Sequence, residues 1–223
     1  MHRHGRERLE VCEAPGREHG CGPLPVRAPA PTWGILIGMP RLIPRAEALE
    51  RIRREGGEPP CLMCAIVDRR VGPVHVVYED AAMLVMLPRH VRRWGHAMVV
   101  PKAHVVSYAE VEPAAWLEAN RLALVVARII EHVRRPRRCY VASTGSSAGE
   151  ELTQTSRHLH VHVIPLYEPD DRPADVFSWQ EGVYVGEPDE WEALAASYRE
   201  VWPAFDSPAA GGEGQASAGG VGS

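Results

Sequence analysis

HLHVHVIP, residues 158–165, sets a histidine at every second position and an aliphatic residue at each position between. In an extended chain, residues two apart share a face. His158, His160 and His162 would then line one side of a strand in steps of roughly 6–7 Å. Leu159, Val161 and Val163 would point the other way and anchor the strand in a core. Neutral imidazole is a nucleophile and a metal ligand near neutral pH, and its protonated form holds anions. A row of three could bind phosphate, attack phosphorus and move a proton. The competing readings are a solvent-facing polar ladder, which strict alternation opposes, and a purely metal-binding strand, which leaves the third histidine without a job.

Outward from this segment the chain reads as strands in runs with helices between and after them. VHVVYED and AAMLVMLP form two strands around an acidic turn, and GHAMVVPKAHV holds a third, ended by Pro101. EPAAWLEANRLALVVARIIEHVRR is a long helix with Pro113 in its first turn. Its expected apolar stripe is Trp116, Leu117, Ala123, Leu124, Ala127 and residues 130–133. RCYVAST is a fourth strand, HLHVHVIP a fifth, and DEWEALAASYREVW a last helix. PRAEALERIRRE is a short helix near the start, and EPPCLMCAIV reads as a loop running into apolar residues. This order predicts an α+β domain with a five-stranded antiparallel sheet, a long helix and a C-terminal helix. The domain is expected over 41–206. Residues 1–40 read as a disordered or mis-assigned extension, with Met39 an alternative start, and 207–223 as a disordered tail.

The 223 residues carry a formal charge of −4, which argues against a general nucleic-acid or membrane-surface binder. The arginines of PRHVRRW and RRPRR read as solvated surface, so a nucleic-acid partner is not expected. Five cysteines with one close pair make a poor disulfide framework, which places the chain in a reducing, cytoplasmic setting. Neither a signal peptide nor a membrane anchor is legible. That close pair is CLMC, Cys61 and Cys64. By itself it reads as a redox pair, half a zinc site or coincidence. A thioredoxin-like pair belongs at a helix start after a strand, whereas helix and loop precede this one. Cys139, inside a strand pattern, reads as a small buried hydrophobe.

Taken together, HLHVHVIP, the Gly-His and Pro-Lys-x-His of GHAMVVPKAHV, and Gln154 four residues before His158 resemble the histidine triad family over roughly residues 60–166. The resemblance implies a mechanism in which His160 attacks the α-phosphorus of a nucleotide. A covalent nucleotidyl-histidine then passes to water or another acceptor. It implies that His162 and Gln154 donate to the phosphate oxygens; Ser156 reads either as a further phosphate donor or as a capping or turn residue. His96 of the Gly-His pair would lie near the nucleophile and help set its tautomer; its other reading is a hydrogen-bonded structural histidine. Some triad proteins hold zinc, which here implies a structural Cys₂His₂ set of Cys61, Cys64, His104 and His158. The three histidines of the ladder then have three jobs: metal for His158, attack for His160, phosphate for His162. Homodimers are common among such proteins, which makes a homodimer the expectation.

Two features depart from the family's pattern. Pro88 stands where an Asp or Asn commonly bonds the ribose hydroxyls, leaving Arg89 or His90 as substitutes. In the loop before Gln154, Ser146, Ser147 and Ala148 replace common asparagines. The expected activity is therefore a nucleotide hydrolase or nucleotidyl transferase, with dinucleoside polyphosphates or nucleoside phosphoramidates as substrate classes. The rival is a nucleotide-binding protein with little turnover.

Overall fold

Asp80 makes the first tight turn of the sheet. Its Oδ1 accepts from the backbone N–H groups of Ala82 and Met83, both at 2.7 Å, a side-chain turn that reverses the chain. It joins β2 (His75–Glu79) to β3 (Met83–Leu87), which pairs in turn with β4 (Ala97–Pro101). From β4 the chain crosses through α3 (Pro113–Arg134) to the edge strand β5 (Arg138–Ser143). It then returns as β6 (Val161–Leu166) between β5 and β4. The result is the expected five-stranded antiparallel sheet, in the order β2-β3-β4-β6-β5. These coordinates come from a computed structural model of the chain describing residues 40–56, 61–143, 157–172, 176, 179 and 181–206. The two flanking stretches expected to be disordered, apart from Pro40, and the loop carrying Gln154 and Ser156 lie outside the described residues.

Alternation along the strands divides the sheet into two faces. Val85, Leu87, Ala97, Val99, Val161 and Val163 pack against α3 and the last helix, α4 (Pro188–Phe205). Helix α4 starts at a reciprocal cap: the Glu187 N–H donates to Glu190 Oε2 at 2.7 Å, and the Glu187 side chain accepts from the backbone of Glu190. Trp191, Leu194, Ala195, Tyr198 and Trp202 recur on one helical face, and all are buried. Each such large side chain contributes roughly 1.5–3 kcal/mol relative to exposure.

The stripe of α3 matches the expected one at Ala123, Ala127 and Ile130 and departs from it at Leu117 and Leu124. Ala119, Leu122, Ala123, Val126, Ile129 and Ile130 face the sheet, while Leu117 and Leu124 are 70% and 50% exposed. The run LALVVARII is apolar nearly all round. Its own period therefore leaves the inward face ambiguous, and docking against the sheet decides it.

The opposite face carries Leu84, Met86, Met98 and Val100 under Met63 of the short helix α2 (Leu62–Val67). Here the expected loop around CLMC is corrected: Cys61 caps α2, and its Sγ accepts from the Cys64 N–H at 3.4 Å. Six residues are too few to declare a helix by period. A second, two-stranded sheet was not foreseen. It pairs β1 (Arg41–Ile43), ahead of α1 (Arg45–Gly56), with β7 (Val183–Val185). No helix among the described residues is long and apolar enough to cross a membrane.

Candidate active site and metal centre

The histidine ladder lies on the face of the sheet turned away from α3 and α4, but only part of it is strand. Pairing begins at Val161, so His162 alone of the three sits in β6, opposite Met98 and Ala142. His158 and His160 belong to the extended lead-in. Their rings are not a simple row, because each is turned by its own hydrogen bond.

Those bonds assign the tautomers. His158 Nε2 lies 2.7 Å from the Pro101 carbonyl and His160 Nδ1 lies 2.6 Å from the His158 carbonyl. A carbonyl only accepts, so both nitrogens carry protons. In neutral His160 this leaves the lone pair on Nε2, which lies 3.1 Å from His162 Nε2. The His162 Nε2–H therefore donates toward His160. His162 Nδ1, then an acceptor, takes the His96 Nε2–H at 3.0 Å. A directed chain runs from His96 through His162 to the lone pair of His160. His96 thus contacts His162 and not the expected nucleophile; the tautomer of His160 is set by a backbone carbonyl instead.

Burial keeps these rings neutral. It lowers His160 below the ordinary histidine value, opposed by the His158 carbonyl and aided by the neighbouring His158 and Arg92 charges. It holds His96 and His162 well below that value, and the Arg92 charge adds to the effect on both. A neutral His160 keeps its nucleophilic lone pair into mildly acidic conditions.

Backbone anchors fix the positions. Gly95 has φ +98°, and a Cβ there would stand 2.9 Å from Tyr198 Oη. That hydroxyl donates to the Gly95 carbonyl at 2.8 Å, and Tyr167 Oη donates to the Trp94 carbonyl at 2.6 Å. Only glycine suits both the conformation and the close approach, which explains the Gly-His pair. Ser143 Oγ donates to the His160 carbonyl at 2.6 Å. Nothing in the sequence distinguished Ser143, since its role comes from the pairing of β5 with β6. Trp94 is buried in the core against Trp191, with ring centroids 4.3 Å apart.

The unprotonated Nδ1 of His158 points the other way, 3.5 Å from Sγ of both Cys61 and Cys64. His104 Nδ1 lies 3.2 Å from Cys64 Sγ. The four candidate donor atoms are all within 4.8 Å of one another. Ligands on a zinc tetrahedron, with Zn–S about 2.3 Å and Zn–N about 2.0–2.1 Å, stand roughly 3.4–3.8 Å apart. Burial, and then the adjacent Cys61, push the Cys64 thiol up to about 11; a dication would reverse that by stabilising the thiolate. The residues present therefore fit a metal ion. The cap at Cys61, the end of β4 and the lead-in to β6 meet here.

The fold is thus an α+β domain that sets a directed histidine chain beside a Cys₂His₂ cluster able to hold a metal ion. The HIT domain model matches residues 69–169. An uncharacterized HIT-like protein of Methanocaldococcus jannaschii is 30% identical over 110 residues, covering 49% of this chain and 81% of that one. The chain belongs to the HIT, or histidine triad, family. The adenylylsulfatase HINT3 of Arabidopsis thaliana is 26% identical over 111 residues, spanning 49% of this chain and 54% of that protein. Among solved structures, a zinc-bound histidine triad family protein from Mycobacterium smegmatis superposes with a TM-score of 0.50 at 26% identity. That match covers 66% of this chain and 96% of that one. A Hit-like protein from Bartonella henselae shares the fold, with a TM-score of 0.52 at 18% identity over 65% of this chain and 98% of that one.

Proposed function

We propose that the chain is a nucleotide hydrolase or nucleotidyl transferase that works at an α-phosphate through a covalent nucleotidyl-histidine on His160. The carrying observation is the tautomer of His160, whose Nδ1–H is held by the His158 carbonyl so that the Nε2 lone pair faces His162. In the first displacement the Nε2 lone pair forms the bond to phosphorus, and the bond to the leaving group breaks. The His162 Nε2–H, freed from His160 as that lone pair is used, donates to a phosphate oxygen and offsets charge as it develops. His96 orients His162 from behind. In the second displacement water or another acceptor takes the nucleotidyl group and restores His160. Gln154 and Ser156 are assigned as further phosphate donors from the sequence motif. Dinucleoside polyphosphates and nucleoside phosphoramidates are the substrate classes.

Cys61, Cys64, His104 and His158 would hold zinc, whose role is structural: it ties the start of α2 to the segment carrying His160. Thiolate ligands suit a reducing, cytoplasmic setting. Leu117 and Leu124 on one side of α3, together with Val141 on edge strand β5, expose apolar surface that supports a homodimer; sedimentation giving only monomer would reject it. Pro88, with no side-chain donor or acceptor for a ribose, favours the second reading, a nucleotide-binding protein with little turnover.

Intact-mass measurement after incubation with a panel of both substrate classes separates the two readings. A nucleotidyl adduct on wild type, absent from His160→Ala, supports the enzyme. Tight binding with neither adduct nor product leaves the binding protein.

A further inference from the structure

Sheet pairing fixes His162 but not His96. The ladder between β4 and β6 runs from Ala97 opposite Val163 to Val99 opposite Val161, and it sets His162 opposite Met98. His96 lies one residue outside that ladder, yet its ring meets His162 Nδ1 at 3.0 Å. The turn that carries His96 is closed locally by its own N–H, which donates to the Arg93 carbonyl at 3.1 Å. Distant parts of the chain hold the rest of that turn. Asp171 takes the Arg93 guanidinium, Tyr167 Oη donates to the Trp94 carbonyl at 2.6 Å, and Tyr198 Oη donates to the Gly95 carbonyl at 2.8 Å.

Tyr167 and Asp171 belong to one turn, and that turn directly continues β6, the strand of His162. Asp171 organises it. Its Oδ2 accepts from the Tyr167 and Glu168 N–H groups at 3.0 and 3.1 Å, which closes the turn. Its Oδ1 accepts from Arg93 Nε at 3.1 Å and from Arg93 Nη2. One carboxylate oxygen thus holds the turn after His162 and the other holds the turn before His96. Burial works to raise the Asp171 carboxyl, but Arg93 and the two backbone donors keep it below the ordinary aspartate value, so it accepts from all of them as an anion. The contacts close a circuit from His162 along β6 to Asp171, across to Arg93, on to His96 and back to His162.

We propose that Asp171 is a positioning residue for the histidine chain: through Arg93 it holds His96 in bonded contact with His162, and so keeps the His162 ring aimed at His160. The inference rests on the nucleotide reading above for its kinetic consequence, while the contact it describes exists with or without a nucleotide. A bond between rings on separate segments is only as well placed as the segments themselves. Displacement by about 1 Å far from the reacting atoms can cost a large factor in rate. Asp171 touches none of the three ladder histidines among its printed contacts, so its effect runs through Arg93 and the turn.

Nuclear magnetic resonance of the zinc-loaded full chain with ¹⁵N-labelled histidines decides it, with thermal melts confirming that each variant is folded. A nitrogen–nitrogen coupling across the hydrogen bond should join His96 Nε2 to His162 Nδ1 in wild type. Asp171→Asn, which keeps the shape and removes the charge, should lose that coupling. Asp206→Asn, which breaks a different carboxylate–arginine pair, that with Arg121, should keep it. No coupling in wild type, a coupling unchanged in folded D171N, or one lost equally in D206N overturns the proposal. Should D171N not fold, Arg93→Lys takes its place: it keeps the charge, gives up the two-nitrogen grip on Oδ1 and should lose the coupling as well. On the substrate that the nucleotide panel identifies, D171N should lower kcat about tenfold and leave KM within about twofold, as for an interaction used in the transition state. A lost coupling with unchanged kcat overturns the positioning role. If wild type turns over nothing in the panel, the nucleotide reading fails by itself, and the coupling still decides whether Asp171 holds the pair.

Discussion

His162 Nε2 lies 3.1 Å from His160 Nε2, and it is His162 that holds the proton between them. In the proposed mechanism this single donor would first orient His160 and then meet the phosphate oxygen that replaces it. Replacing His162 by Ala should lower kcat by about 10²–10³, the usual cost of removing one preorganised donor from a reaction centre. Rapid-quench kinetics should show the His160 adduct forming slowly, whereas in His160→Ala it does not form at all. A His162→Ala enzyme with wild-type kcat would remove His162 from the chemistry.

The fourfold donor cluster predicts one zinc per chain by elemental analysis. Cys61→Ser should lose that metal while its hydroxyl still caps α2 by accepting from the Cys64 N–H. Loss of the metal loosens the lead-in that carries His160. Melting temperature should fall by about 10 °C, which corresponds to several kcal/mol in a chain of this size. A strong chelator acting on wild type should reproduce most of the fall. Full metal content in Cys61→Ser would mean that the ligand set is wrong.

Acid should unfold the domain earlier than its carboxylates alone require. His96 and His162 have folded-state values well below 6.5 because they are buried, whereas the unfolded chain binds protons near 6.5. Between these limits the unfolded state binds more protons, so stability is fully present above 6.5 and declines as the pH falls below it. Once the unfolded chain is protonated, each neutral buried ring contributes a slope of about 1.4 kcal/mol per pH unit. Urea midpoints measured from pH 7.5 down to 5 should fall steadily below 6.5. In His96→Phe, which keeps a ring without a titrating group, the slope should be shallower, and an identical slope would contradict the assignment.

Asp171 couples the segment after β6 to the segment before His96. Its side chain is 4% exposed and pairs with Arg93, and its Oδ2 also accepts from the Tyr167 and Glu168 N–H groups at 3.0 and 3.1 Å. Asp171→Ala leaves a mostly buried guanidinium with the exposed Glu181 as its acidic partner among the described residues and the Arg92 carbonyl as a neutral acceptor. The expected cost is about 3 kcal/mol, toward the low end for breaking a buried pair because one partner survives. Chemical denaturation measures this directly. A loss below about 0.5 kcal/mol would show that the pair is only a surface contact.

What local pattern could specify, the sequence carried openly. Alternation marked HLHVHVIP, short apolar runs bounded by turn residues marked strands such as β3 and β4, and Pro113 marked the start of α3. The spacing of Cys61, Cys64, His104 and His158 became meaningful once set beside a family pattern. What it could not carry were relations that depend on which distant groups meet. His158 and His160 read as strand, yet they give their ring protons to carbonyls of Pro101 and His158, and the ladder begins only at Val161. The inward face of α3 followed from the sheet it meets, because its own apolar run is ambiguous. The pairing of β1 with β7 joins two three-residue strands from opposite ends of the domain, too short to show a period. The placing of Arg92 over Trp179 likewise joins residues remote in sequence. Side-chain periodicity is a property of neighbouring residues, and it survives in the sequence. Hydrogen-bond direction, ring tautomer and charge proximity arise between segments, and only the folded chain brings those segments together.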